Sequence, residues 1–316
     1  MGVLHNPRSG SNPRAAASLR RVLGAHRDIP YREATDPATV APALRELAER
    51  GVDAVAISGG DGTVSAVLDE VFARNPFPRL PLLAVLRGGT TNMTAGDVGL
   101  RGRPDRALGS LIECAARAGD GLAVLERPVL RIDPGGGRAP LHGMFFGAAA
   151  ISQGIEYCKR KVHAAGLRGE IGPGITMARF VIAVARDERA IAAPVPVAVA
   201  IDGAARAAFD CQAVVVTTLE RLVLGLRPYW GKEAAPLHYT CVRAGPRHWL
   251  KALPGLARGR LNRYNTPANG YESHNARRLE LELDSPFFVD GEIFSPTAGT
   301  PLAFADGGTA GFLTLR

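Results

Sequence analysis

The chain contains no apolar run of about 18 residues, the length a helix needs to cross a bilayer, so no transmembrane helix is expected. Cysteine is scarce: Cys114, Cys158, Cys211 and Cys241 are scattered, with no Cys-x-x-Cys pair. That excludes a thiolate zinc site and points to reduced thiols in a cytoplasmic protein. The histidines show no His-x-x-x-His or similar ligand spacing, no Ser/His/Asp arrangement is readable, and the G-x-x-x-x-G-K-[ST] phosphate loop is absent. Aromatic residues are few and are not interleaved with basic ones. With no helix-turn-helix or zinc-finger pattern either, nucleic acid is not the expected partner. There are no internal repeats or low-complexity tracts. The N-terminus enters a strand-like run at once, so no signal peptide is expected.

What is present is a basic chain of ordinary globular composition. The formal net charge of +8, carried mostly by arginine, calls for an anionic partner such as a nucleotide or a membrane surface. A length of 316 residues suffices for two domains, each with its own core. Nothing in the pattern specifies an oligomeric state.

Residues 1–126 alternate short apolar runs with amphipathic stretches. Strands are expected near 2–5, 53–58, 82–86 and 122–126, and helices near 13–24, 38–50, 63–74, 92–98 and 104–118, which reads as an α/β domain with a parallel sheet. The texture changes after Arg127-Pro128. Extended runs at 129–132, 195–201, 213–218 and 279–283, with turns at Asp133-Pro134-Gly135-Gly136-Gly137 and Ile201-Asp202-Gly203, predict a mostly β sandwich over 127–300, with helical insertions near 153–165 and 174–188.

Three strand ends carry the chemistry. Gly59-Gly60-Asp61-Gly62-Thr63 follows Ala54-Val55-Ala56-Ile57 and precedes a helical pattern. A strand, a glycine-rich turn and a helix N-terminus make an anion site, because glycine lets backbone N–H groups approach phosphate oxygens and the helix dipole favours negative charge. A carboxylate in such a site repels phosphate unless a cation intervenes, so Asp61 points to Mg²⁺. The alternative is a glycine turn with a capping aspartate. Asn6-Pro7-Arg8-Ser9-Gly10 follows Gly2-Val3-Leu4, and Arg87-Gly88-Gly89-Thr90-Thr91-Asn92 follows Pro81 to Leu86. Parallel strands end on one sheet edge, where ligands bind, so the three turns are expected to converge.

In combination, Asn6-Pro7-Arg8-Ser9-Gly10, Gly59-Gly60-Asp61-Gly62-Thr63, Gly89-Thr90-Thr91-Asn92 with Ala95 and Gly99-Leu100, and the late Phe288-Val289-Asp290-Gly291-Glu292 resemble the motifs of the diacylglycerol kinase catalytic-domain family. That family includes sphingosine, ceramide and bacterial lipid kinases. The glycine-Asp motif alone also occurs in NAD kinases and phosphofructokinases, whose α/β fold the first domain is expected to share. The resemblance implies a kinase using ATP and Mg²⁺ on a lipid hydroxyl, diacylglycerol first and sphingoid base, ceramide or another lipid alcohol close behind. It also implies C-terminal strands that return to the first domain. Residues 301–316 are the candidates, through Phe304 and Gly311 to Leu315.

The resemblance assigns nucleotide binding to Asn6, Arg8, Ser9, Gly10, Gly59, Gly60, Asp61, Gly62, Thr63, Gly89, Thr90 and Asn92. It makes Asp290 the general base, against a plain Asp-Gly turn, with Glu292 orienting it or binding metal. Glu126 is a further acid. Many bacterial members carry Asp where this chain has Met93. Asp97, four residues on, falls on the same helical face, so Asp61 and Asp97 are the candidate metal ligands, with an exposed first-turn role the alternative for Asp97. Basic residues around Trp249 within 243–263, and the knot Cys158-Lys159-Arg160-Lys161, suit a peripheral anionic membrane surface, against a solvated helix packed by its leucines. Pro254 argues against one long amphipathic anchor. The rivals are a soluble kinase of the NAD kinase type and a nucleotide-binding regulator without phosphotransfer.

Overall fold

A computed structural model describes residues 1–10, 13–154, 181–186, 188 and 192–316. The expected helical insertions and the basic knot at 158–161 fall wholly or largely outside these residues. The chain divides into two units, Met1–Val129 with Gly308–Arg316, and Leu130–Gly307.

The first unit is a parallel sheet covered by helices. Its strands β1 (Gly2–His5), β2 (Tyr31–Glu33), β3 (Ala54–Gly59) and β4 (Leu82–Arg87) lie in the order β2-β1-β3-β4, all parallel. The end of the chain joins them, Phe312 pairing parallel to Leu83. The buried runs Val3-Leu4 and Val55-Ala56-Ile57 lack alternation because both faces of the sheet are covered. Around them pack α1 (Pro13–Ala25), α2 (Pro37–Glu49), α3 (Asp61–Ala73), α4 (Met93–Asp97) and α5 (Pro104–Ala116). The start of α2 is fixed by a capping box: Thr39 N–H donates to the Asp36 carboxylate at 3.2 Å, and Asp36 N–H donates to Thr39 Oγ1 at 3.4 Å. Its buried stripe of Val40, Ala43, Leu44 and Leu47 has helical spacing. One core holds Val3, Leu19, Ala56, Leu86, Leu108 and Leu111 together.

The second unit is rich in antiparallel strands. β5 (Leu122–Asp133) contains the first unit boundary, and its Leu130–Ile132 part pairs with β6 (Leu141–Gly143). β7 (Phe145–Ala149), β8 (Val195–Ile201), β9 (Ala207–Thr217), β10 (Leu237–Arg243), β11 (Tyr271–Ala276), β12 (Arg278–Leu283), β13 (Phe287–Val289) and β14 (Glu292–Phe294) pair antiparallel throughout. β15 (Leu302–Leu315) begins beside β12. The β8–β9 hairpin turns at Asp202 and Gly203, both at positive φ, which is the conformation that matches strand twist. Phe146 anchors the core, with ring centroids 4.8 Å from Phe304 and 5.4 Å from Phe287.

α6 (Trp249–Arg258) continues through Pro254 and lasts only ten residues. Trp249, expected as an interfacial anchor, is instead packed. Its indole N–H donates to the Val181 carbonyl at 3.0 Å and its ring stacks on Tyr271. Among the described residues, no helix is long and apolar enough to cross a membrane.

Candidate nucleotide site and acid residues

The three glycine turns of the first unit meet at the C-terminal edge of β1, β3 and β4. Asn6 N–H donates to the Ser58 carbonyl at 2.8 Å and carries the first loop along β3. Its side-chain amide donates to Thr63 Oγ1 at 3.0 Å, and Ser9 Oγ accepts the Gly60 N–H at 3.1 Å. The Asn6 carbonyl side-chain oxygen accepts the Arg8 N–H, closing an Asx turn. The third loop is tied to the second by Gly88 N–H donating to the Gly59 carbonyl at 3.1 Å.

These loops approach so closely that side chains are forbidden. A Cβ on Gly89 would stand 2.5 Å from the Gly60 Cα, one on Gly88 2.7 Å from the Gly59 nitrogen, and one on Gly10 2.6 Å from the Gly88 carbonyl oxygen. Glycine is therefore required by neighbouring backbone. Asn92, in the left-handed region, shapes the third loop: its side chain accepts from Gly89 N–H at 2.8 Å and donates to the Gly89 carbonyl at 2.7 Å. Thr90 and Arg8 are exposed beside this frame, and Gly62 lies in the first turn of α3.

Behind the loops lies a pair that sequence reasoning passed over. His5 Nδ1 and Ser58 Oγ are 3.1 Å apart, and both residues are buried. They are the last polar residues of their strands before Asn6 and Gly59, the only sequence cue to them. Burial holds the His5 imidazole below its ordinary value of 6.5, against the opposing effects of the Ser58 carbonyl and Glu33.

Asp61 faces backbone. Its Oδ2 accepts the Met93 N–H at 3.1 Å and its Oδ1 the Thr94 N–H at 2.9 Å, at the start of α4. Burial pushes its carboxyl above the ordinary range, while these two N–H groups pull it down. The capping alternative thus describes what Asp61 does here, although the helix it caps is α4. Asp97 is not an exposed first-turn acid. Its side chain is 3% exposed and accepts from Arg127 Nε at 3.1 Å. Direct Mg²⁺ ligation by Asp61 and Asp97 therefore does not fit: one is committed to two backbone amides, the other to a guanidinium. Among the described residues, no group of three or more His, Cys, Asp or Glu could hold a metal ion.

In the second unit Asp290 is almost fully buried, at 1% exposure, with φ at 41°. Its Oδ2 accepts the Met144 N–H at 2.6 Å and its Oδ1 the Phe145 N–H at 3.0 Å, which pins the turn between β13 and β14 to the start of β7. Asp290 is thus oriented by those amides rather than by Glu292, which is exposed on β14 opposite Val289. Gly143 is needed beside it, since a Cβ there would overlap the Asp290 carboxylate. Glu126 is exposed on β5.

This arrangement of motifs defines a class. Residues 1–124 match the model of the diacylglycerol kinase catalytic domain. That match spans most of the first unit. Similar folds occur in Bacillus anthracis str. Sterne: a protein whose diacylglycerol kinase assignment is provisional (TM-score 0.64, 18% identity, 99% of this chain and 94% of the other) and a diacylglycerol kinase (TM-score 0.62, 15% identity, 99% and 95%). A third, also provisionally assigned, gives TM-score 0.61 at 18% identity over 99% and 96%. At these identities the likeness establishes the fold. No curated protein matches the sequence.

Proposed function

We propose that the protein transfers the γ-phosphoryl group of ATP, supplied with Mg²⁺, to the hydroxyl of a lipid, diacylglycerol or a related lipid alcohol. The observation that supports the reading best is the backbone cradle in which Gly10, Gly88 and Gly89 leave no room for side chains. Such an edge, lined by N–H groups and hydroxyls beside the exposed Arg8, suits a chain of phosphates. Phosphoryl transfer asks the protein for positioning and charge stabilisation more than for covalent chemistry. Ser9 and Thr63 hold the first two loops together, and Asn92 holds the third. Mg²⁺ would arrive with the phosphates, and no protein carboxylate described above is assigned to it. The lipid acceptor is our reading, supported by the family match over 1–124 and by the late Asp290-Gly291-Glu292 element, in which Asp290 would take the proton of the acceptor hydroxyl.

The test is incubation of purified protein with labelled ATP, Mg²⁺ and an extracted lipid mixture in anionic mixed micelles. A labelled lipid that disappears in Asp290→Asn identifies a lipid kinase, and its mass names the acceptor. ATP binding without any labelled lipid would move the reading to a soluble acceptor or a nucleotide sensor.

A further inference from the structure

One surface of the second unit is both basic and greasy. From Arg243 to Tyr271 the chain has no acidic residue. Arg243 is paired with Glu272, and the nearby Arg227 with Glu220. Arg221, Arg247, Lys251, Arg258, Arg260 and Arg263 have no ion-pair partner among the described residues. Lys251 and Arg263 both lie over the Tyr264 ring, 5.6 and 4.8 Å from its centroid, which holds the segment after α6 back along that helix.

Among these charges stand the three most exposed large apolar side chains among the described residues. Leu224 is 67% exposed, Leu250 64% and Leu261 59%. Leu250 opens α6, and Leu261 follows its C-terminal turn. Leu224 is brought to the same helix by a backbone bond, Arg227 N–H to the Ala257 carbonyl at 3.0 Å. Its tight loop is closed by Leu222 N–H to the Leu226 carbonyl at 2.8 Å, with Leu224 itself at φ 58°. A leucine seldom adopts that conformation, and here the loop holds one outward in it. The opposite face of α6 is satisfied: Ala252, Gly255 and Leu256 are buried. The leucines are therefore surplus to the core.

We infer that this face, α6 with the 222–227 loop and the segment after Gly259, docks on an anionic lipid bilayer, with the three leucines entering the acyl boundary and the arginines at the headgroups. Charge complementarity selects that occupant: a surface whose stretch from Arg243 to Tyr271 has no acidic residue meets phosphate-rich headgroups, and leucine tips gain where an acyl layer lies beneath. A nucleic acid would supply the negative charge but no apolar layer, and the exposed large hydrophobics here are all aliphatic rather than stacking aromatics. The docking rests on the lipid-acceptor reading for its purpose, yet its test uses neither nucleotide nor turnover.

The test is sedimentation of the protein with sucrose-loaded phosphatidylcholine vesicles containing 0 to 50 mol% phosphatidylglycerol, without ATP. Binding should rise steeply with the anionic fraction. Arg260→Glu with Arg263→Glu should weaken it by roughly 25-fold or more, from about fivefold per basic residue at an anionic surface. Leu224→Ser, Leu250→Ser and Leu261→Ser together should abolish retention at high salt while leaving circular dichroism and thermal melting unchanged. Binding that ignores the anionic fraction, or survives the leucine variant, would overturn the assignment. So would tighter binding to single-stranded RNA than to vesicles. Vesicle binding in a protein that phosphorylates no lipid would leave the docking face standing and sink the acceptor reading alone.

Discussion

The Asp61 carboxylate accepts the backbone N–H of Met93 at 3.1 Å, across 32 residues of sequence. The family resemblance makes this position notable, because Met93 stands where many bacterial members carry Asp. The chain thus ties the second glycine turn to the third through a side chain and an amide that survive whatever residue occupies position 93. Two charge-assisted bonds of this type stabilise by about 2 kcal/mol or more. Asp61→Ala should lower the melting temperature and weaken ATP binding equally in excess EDTA and in Mg²⁺. A metal ligand would lose only the Mg²⁺-dependent part, so an EDTA-insensitive loss measured by calorimetry identifies the capping role.

Asp97 and Arg127 form a pair whose acid is nearly inaccessible. Removing one partner of such a pair leaves an uncompensated charge and costs on the order of 3 kcal/mol. Arg127→Ala should therefore destabilise the protein more than Asp97→Ala. Asp97→Ala, assayed below its own melting temperature, should keep ATP affinity and Mg²⁺ requirement unchanged. A raised Mg²⁺ requirement in Asp97→Ala would return that residue to the metal.

The glycine contacts make a graded prediction. Gly89→Ala sets a methyl 2.5 Å from backbone and must push two loops apart, whereas at Gly109 in α5 nothing lies within 4 Å. Displacement of about an ångström in a phosphate cradle costs roughly 10²-fold in turnover. Gly109→Ala should instead stabilise the helix by about 0.5–1 kcal/mol with unchanged kinetics. Melting curves and turnover of the two variants, measured side by side, would separate cradle geometry from general tolerance to alanine.

His5 gives a pH dependence with a definite sign. Burial is the largest influence on it and lowers its folded-state pKa below 6.5. The unfolded chain then binds the proton more readily than the folded one. The stabilisation is complete above pH 6.5 and is lost as pH falls through that value toward the lowered one. The groups facing it, Glu33, Arg20 and the Ser58 carbonyl, do not reverse the shift. His5→Asn should flatten the melting temperature between pH 7 and 5. A profile as steep as wild type would assign the acid sensitivity elsewhere.

Much of this was legible because strand ends announce themselves. Ala54 to Gly59 reads as a buried run closed by glycine, and the structure puts β3 there. The three parallel loops could be placed on one edge without any contact being known. Tyr31–Glu33 escaped notice because it is three residues long and only partly buried. β10 escaped because His238, Thr240 and Cys241 interrupt its apolar pattern, though Tyr239 and Cys241 are fully covered. Side-chain commitments were illegible for a different reason. Asp61 with Met93, Asp97 with Arg127 and Asp290 with Met144 are long-range pairings, and local spacing carries no signal for them. That is why acids read as ligands from sequence proved to be engaged with amides and a guanidinium.

Asp290 is where the two descriptions bear on one experiment. Its two amide bonds give it a structural task in the turn before β14, whatever its chemistry. An asparagine presents one acceptor and one donor to the same two amides, so Asp290→Asn should melt earlier than wild type. If Asp290 also takes the acceptor proton, turnover at a temperature where the variant remains folded should fall by roughly 10²-fold or more, with ATP affinity retained. Asp290→Glu should then recover little, because the longer acid cannot keep both amide bonds in a space where even a Cβ on Gly143 would collide. An early-melting Asp290→Asn with near-normal turnover while folded would leave Asp290 as a turn residue and require another acid for the proton.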